Sequence, residues 1–245
     1  MPDRTAKDNQ ILIGFWDQAF ALTEEQKTAM RNRGPEGWRE LAPSEKLFRA
    51  ASSLGQSRKV LDYGCGNAWA GIIAAKSGCP DVTAVDAAPG AAEAARFSAS
   101  LYGVEGSVRV VCGSCAWLQR IPSGTFDGLI CSNVLDVVPP ETAEAILRET
   151  ARIAAPDARV IIGLNYALTP EAAAARGLNL AEDSRLYIDG VLRLVSRTDG
   201  EWADVFSPWY TVERLEHFAW PGEAKETRRL FLLRKREDAC GGGSA

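Results

Sequence analysis

Histidine is almost missing from this chain, with one residue, His217, in 245. Paired cysteine motifs are missing as well. Cys112-Gly113-Ser114-Cys115 is a C-x-x-C, but no second one follows and the one histidine stands far downstream. A zinc site needs more ligands than that, so no metal is expected, and the motif reads as incidental strand cysteines. His217, beside Phe218 in a stretch with helical spacing, reads as a packing residue rather than a base. The six cysteines are unevenly spaced, and Cys65, Cys112, Cys115 and Cys131 fall on or beside predicted buried strands. Reduced thiols in a cytoplasmic protein account for this better than a disulfide framework. Long apolar runs are lacking too. Nothing approaches the about 20 residues a membrane helix needs, and the opening residues do not read as a signal peptide. Excess charge is also absent: 28 Lys and Arg against 32 Asp and Glu leave a net charge of -4. A general nucleic-acid binder would need a basic surface. The expected partner is a small molecule, and the expected assembly a monomer or homodimer.

What is present centres on Val60-Leu61-Asp62-Tyr63-Gly64-Cys65-Gly66-Asn67-Ala68-Trp69-Ala70-Gly71. It reads as a buried strand, a glycine turn and the start of a helix whose unpaired N–H groups aim above the turn. A second apolar run, Val82-Thr83-Ala84-Val85, ends in Asp86. A carboxylate at the tip of the second strand of a βαβ unit can accept both hydroxyls of a ribose. The unit is therefore expected to bind a nucleoside. Dinucleotide sites prefer G-x-G-x-x-G, and here Trp69 holds the third glycine's place. No plausible Tyr-x-x-x-Lys pair appears either, which weighs against a nicotinamide-dependent oxidoreductase.

Leu61-Asp62-Tyr63-Gly64-Cys65-Gly66-Asn67 resembles the first motif of the class I methyltransferases that use S-adenosylmethionine. The likeness runs on through Asp86, through Phe126-Asp127-Gly128-Leu129-Ile130-Cys131-Ser132-Asn133-Val134-Leu135, and through Arg159-Val160-Ile161-Ile162. It spans roughly residues 58 to 165. The resemblance implies methyl transfer from S-adenosylmethionine to a small-molecule acceptor, leaving S-adenosylhomocysteine; a cofactor-binding protein without catalysis is the alternative within the same fold. It also implies that Asp62 orients the turn or the amino-acid end of the cofactor, and that Gly64, Cys65 and Gly66 let the backbone approach it. Asp86 takes the ribose, Ala87 lies against the adenine, and Asn133 contacts the methionine portion. Relatives often carry an acid after the third strand; Ser114 and Cys115 stand there instead. Relatives also often have His-His after the fourth strand, where this chain has Asp136-Val137. Asp136 is thereby the candidate general base or substrate contact.

The architecture expected is α/β. It is a Rossmann-like, doubly wound seven-stranded sheet in the order 3-2-1-4-5-7-6 with the last strand antiparallel. N-terminal helices and an antiparallel β insertion after the fifth strand complete it. Residues 1–56 read as a helical lid carrying the apolar stripe Leu12, Phe15, Trp16, Ala19 and Phe20, with residues 1–8 frayed. Residues 57–240 form the main domain. Within it, 165–210 hold a three-stranded meander built around Asp189-Gly190 and Asp199-Gly200, its last strand Glu201 to Phe206. Thr211 to Phe218 reads as a helix, and 241–245 as a flexible tail. Trp16 and Tyr187 are placed with Asp136 in the acceptor pocket, roofed by the lid and the insertion.

Overall fold

The computed structural model describes residues 4–236; the expected tail at 241–245 lies outside them. Three helices lead the chain: α1 (Arg4–Phe20), α2 (Glu24–Arg33) and α3 (Glu45–Ser53). The expectation of fraying through residue 8 is corrected, because α1 is helical from Arg4. Its first turns are held by tertiary contacts: Asp8 is buried and accepts the Tyr187 hydroxyl at 2.7 Å. Thr23 and Gln26 cap α2 reciprocally, and Ser44 accepts the Leu47 N–H to start α3.

Strands and helices then alternate as β1 (Val60–Tyr63), α4 (Trp69–Lys76), β2 (Val82–Asp86), α5 (Pro89–Leu101), β3 (Val108–Cys112), α6 (Cys115–Leu118), β4 (Phe126–Ser132), α7 (Pro140–Ile153) and β5 (Ala154–Leu164). These five strands pair in parallel, so their C-terminal tips all meet at one edge of the sheet. After β5 come α8 (Pro170–Ala174), a hairpin of β6 (Arg185–Ile188) and β7 (Val191–Val195), α9 (Asp199–Phe206), β8 (Tyr210–Phe218) and β9 (Arg228–Lys235). β9 lies antiparallel between β5 and β8, giving the order β3-β2-β1-β4-β5-β9-β8. With the hairpin set aside, this is the seven-stranded order the sequence leads one to expect.

Both faces of the sheet are covered, as near-continuous apolar strands require. On one face Leu61, Leu129, Ile162 and Phe231 pack with Leu147 of α7 and with Trp202 and Phe206 of α9. On the other, Val60, Ile130, Ile161 and Leu230 pack with Leu47 of α3 and Ile72 and Ile73 of α4.

Two element types differ from expectation. Residues Glu201–Phe206 are helical, so the insertion is a two-stranded hairpin followed by α9 rather than a three-stranded meander. Asp189-Gly190 does turn the hairpin, both residues having positive φ, 51° and 76°. Asp199-Gly200, however, opens a helix. Thr198 accepts the Glu201 N–H while Glu201 accepts the Thr198 N–H, and Trp202 and Phe206, one turn apart, stack at 5.7 Å. Thr211 to Phe218 is an edge strand rather than a helix. The register between β8 and β9 shifts between Val212 and Arg214. That bulge puts Val212 and Leu215 on one face, opposite Leu233 and Phe231, so a strand shows the three-residue apolar spacing of a helix. His217 consequently sits on β8, its Nε2 2.9 Å from Asp199 Oδ2.

The cap on α9 can be measured. Thr198→Ala removes the side-chain acceptor for the Glu201 N–H and is expected to lower the unfolding free energy in urea by about 1 kcal/mol, with an unchanged slope. A variant as stable as the parent would show that the cap contributes nothing to the helix.

Candidate active site

The strand tips of β1, β2 and β4 gather the residues singled out in the sequence. Gly64 and Gly66 lie just past β1 with φ of 68° and 54°, a region that favours glycine. A Cβ on Gly64 would collide with Val134, and one on Gly66 would stand 2.7 Å from Phe20 Cζ. Asp86, at the tip of β2, ties this turn to the next: Oδ2 accepts the Gly66 N–H and Oδ1 the Ala88 N–H, both at 2.9 Å. Burial pushes its pKa up, against the pull of those N–H groups. Each carboxylate oxygen keeps acceptor capacity beyond its one backbone partner. Ala87 lies between Asp86 and the tethered Ala88.

Asp62 is buried within β1 and accepts the Gly71 N–H at 2.9 Å, pinning the first turn of α4 under the loop. Cys65 is buried in the same loop, and burial pushes its thiol well above the ordinary range. Ser114 precedes α6 beyond β3, and Cys115 opens that helix half-buried, its thiol pushed up by burial. Neither Cys112 nor Cys115 is in a disulfide.

Asn133 follows β4 with φ 57°, and both ends of its side-chain amide are engaged. Its amide donates to Asn165 Oδ1 at 2.8 Å, while its Oδ1 accepts the Ser132 hydroxyl at 3.1 Å. Asp136 is not at the surface of the cleft. It is fully buried; Oδ2 accepts the Asn165 N–H at 2.6 Å, and Oδ1 has no partner among the described residues. Burial pushes its carboxyl up, opposed by Asn165 and the buried Arg229 guanidinium. A carboxylate so placed joins the segments after β4 and β5.

Helix α1 lies across this edge. Trp16 packs against the cluster that contains Tyr63, Leu135 and the half-buried Val134 and Trp117. Phe20 rests on Gly66, and Asp17 accepts the Gly90 N–H at the start of α5 at 2.6 Å. At the other end of α1, Asn9 donates to Thr142 at 2.8 Å. Tyr187 stands on the hairpin, donating to Asp8 and accepting from Arg4, so its hydroxyl serves the joint between the hairpin and α1.

Phe20, Asp17 and Asn165 belong to this edge although the sequence marks none of them as a site residue. Phe20 is on the same apolar stripe as Trp16. Asn165 directly follows β5, as Asn133 follows β4, so the rule that places ligand contacts at parallel strand tips points to both. Asp17 has no sequence signal; only the docking of α1 brings it to α5. A surface cavity lined by Arg58, Lys59, Asp81 and Asp127 lies at the opposite end of the strands. Its charges already pair, Arg58 with Asp127 and Lys59 with Asp81.

Comparison with known proteins agrees with this geometry. The family described as "Methyltransferase domain" matches residues 60–157. A ubiquinone biosynthesis O-methyltransferase of Xanthomonas oryzae pv. oryzae is 36% identical over 106 residues, 42% of this chain and 41% of the relative. A ribosomal protein L11 methyltransferase of Cupriavidus taiwanensis is 32% identical over 123 residues, 50% of this chain and 38% of the relative. The chain thus spans about two fifths of the length of the curated relatives it matches. Among solved structures, the 1,6-didemethyltoxoflavin-N1-methyltransferase of Burkholderia thailandensis, with its substrate and S-adenosylhomocysteine bound, shares the fold. Its TM-score is 0.54 at 21% identity, covering 88% of this chain and 91% of that one.

Asp62 supplies a prediction about pH. Burial pushes its carboxyl up to about 7, the Gly71 N–H pulls the other way, and the neighbouring Asp86 charge adds to the rise. The folded value lies above that of the unfolded chain, so the folded state holds the proton more tightly between the two. This stabilisation is full below about pH 4 and is lost as pH rises to about 7. Asp62→Asn keeps an acceptor for Gly71 and removes the titration. Without ligand, the variant is expected to match the parent in urea near pH 4 and to be more stable by up to a few kcal/mol near pH 8. Parallel stability curves across that range would overturn the assignment.

Proposed function

Because the chain belongs, through residues 60–157, to the class I S-adenosylmethionine-dependent methyltransferases, we propose that it methylates a small-molecule acceptor. The observation that carries this reading is Asp86: one carboxylate at a strand tip tethers the glycine turn and the α5 entrance, yet keeps acceptor capacity for a diol. The residues fit the cofactor, since the turn is one that Cβ atoms would obstruct and the neighbouring acids suit a cationic ligand. When bound, S-adenosylmethionine supplies an electrophilic methyl group on a sulfonium, passed in line to the acceptor's nucleophile. The chain's part is to position and enclose. Gly64 and Gly66 give close backbone approach, Asp86 fixes the ribose, and Ala87 borders the adenine, with Ser114 and Cys115 beyond β3. Asn133, held by Ser132 and Asn165, contributes orientation at the centre. Such positioning is worth about 7–11 kcal/mol, enough for a transfer that uses no general base.

In this reading Asp136 positions the Asn165 segment rather than taking a proton. Helix α1, with Trp16 and Phe20, and the hairpin with Tyr187 form the roof, so residues 1–56 act as a lid on the domain at 57–240. A roof carrying Trp16 and Phe20 across the strand tips suits a small acceptor better than a protein tail. The cysteines among the described residues form no disulfide, and Cys65, Cys79 and Cys131 are buried, which suits a cytoplasmic setting.

Titration calorimetry with S-adenosylhomocysteine tests the assignment. The parent is expected to bind it and not NAD. Asp86→Ala is expected to weaken binding about ten- to a hundredfold, by removal of charge-assisted hydrogen bonds. Because the same carboxylate tethers Gly66 and Ala88, Asp86→Asn is measured alongside as the variant that keeps an acceptor. Unchanged affinity in both variants would place the cofactor elsewhere.

A further inference from the structure

The roof contains a cation without a counter-charge. On β7, Leu194 packs with Leu168 and Leu186, whereas Val191 packs against the main core beneath α1. Arg193 is the extra residue of a bulge, opposite the step where Leu186 pairs with Leu194 and Tyr187 with Leu192. Its guanidinium lies 4.4 Å from the Phe15 ring centroid and 5.8 Å from that of Trp16, two rings that meet edge to face at 5.0 Å. All three side chains belong to half-buried residues. The other arginines of this roof are matched with acids: Arg185 with Glu141 and Asp183, and Arg4 with Asp8 and Asp183. Among the described residues, the Arg193 side chain makes neither an ion pair nor a hydrogen bond; ring faces are its recorded partners.

Ring contact uses none of its five N–H donors, and none of those nitrogens is sealed from solvent. The fork of the guanidinium on this aromatic wall is therefore open to a ligand. The fork of donors matches a carboxylate in two parallel hydrogen bonds, and the rings beside it match a planar apolar body. We infer that the methyl acceptor is an aromatic carboxylate, with Arg193 binding its charge and Phe15 and Trp16 bordering its ring. This rests on the methyltransferase reading and narrows it to a substrate class.

The test uses the full chain saturated with S-adenosylhomocysteine. The probes are ortho-, meta- and para-hydroxybenzoate and the corresponding hydroxybenzamides, titrated by intrinsic tryptophan fluorescence, to which Trp16 contributes. At least one acid is expected to bind about ten- to a hundredfold more tightly than its amide, the span of a charge-assisted pair. Arg193→Met keeps an apolar stem against Phe15 and is expected to bring that acid down to the amide's affinity. Amide affinity and S-adenosylhomocysteine affinity should stay as in the parent. Arg193→Lys, which keeps charge without the fork, is expected to fall between. The inference is overturned if no acid outbinds its amide in the parent, or if Arg193→Met keeps the preference. It is equally overturned if that variant weakens acid and amide in proportion, which would make Arg193 only a clamp between β7 and α1. Failure of the parent to bind S-adenosylhomocysteine would instead defeat the methyltransferase reading, so the two failures are distinguishable.

Discussion

The Asp86 carboxylate is the interaction on which the active edge depends, because it accepts from Gly66 on one side and Ala88 on the other. Parallel pairing brings the tips of β1 and β2 side by side, but it leaves the loops beyond them unspecified. Two charge-assisted hydrogen bonds from one side chain set both loops at once. Asp62 repeats the device one layer down, accepting from Gly71 and so fixing where α4 begins. Asp136 repeats it again between the segments after β4 and β5. Three carboxylates thus build this edge from backbone N–H groups rather than from packing.

That construction has an electrostatic consequence. Burial pushes the pKa of each of the three acids up, so each charge is held at a cost in the ligand-free chain. Backbone donors offset part of this cost. Arg229 helps Asp136 alone, and the Asp86 charge raises the proton affinity of Asp62. A cation arriving at the edge would lower the cost of both. An edge built this way favours a positively charged ligand over the anionic pyrophosphate of a dinucleotide, independently of the glycine spacing.

The parts of this arrangement legible in the sequence are those fixed by the parallel sheet. Strand tips followed by acids, glycines or asparagine mark the edge, so Asp62, Gly64, Gly66, Asp86 and Asn133 come together as their positions imply. Two kinds of information were hidden. Local devices disguised element type: the bulge near Val212 gave β8 a helical spacing, and the Thr198–Glu201 cap hid behind a turn-like Asp199-Gly200. Depth was hidden as well. The Asp136 carboxylate is fully buried, turned to the Asn165 N–H and near Arg229. Nothing in the one-dimensional pattern distinguishes an acid beside a pocket from one beneath it.

The roof is held differently from the sheet, and the difference bears on how a ligand enters. Within the sheet, register is fixed by continuous ladders and fully buried side chains. Helix α1 is instead fastened at separate points: Asp17 to Gly90, Phe20 on Gly66, Asn9 to Thr142, and Asp8 with Arg4 to Tyr187. Polar contacts near the surface are worth about 0–1 kcal/mol each, and they give way singly. Phe20 and Asp17 sit at the end of α1 that joins the short link to α2, where the helix backbone has no further turn to support it. Under the proposed function, α1 is thus the part of the enclosure that can yield point by point to admit a ligand, while the sheet beneath it keeps its register.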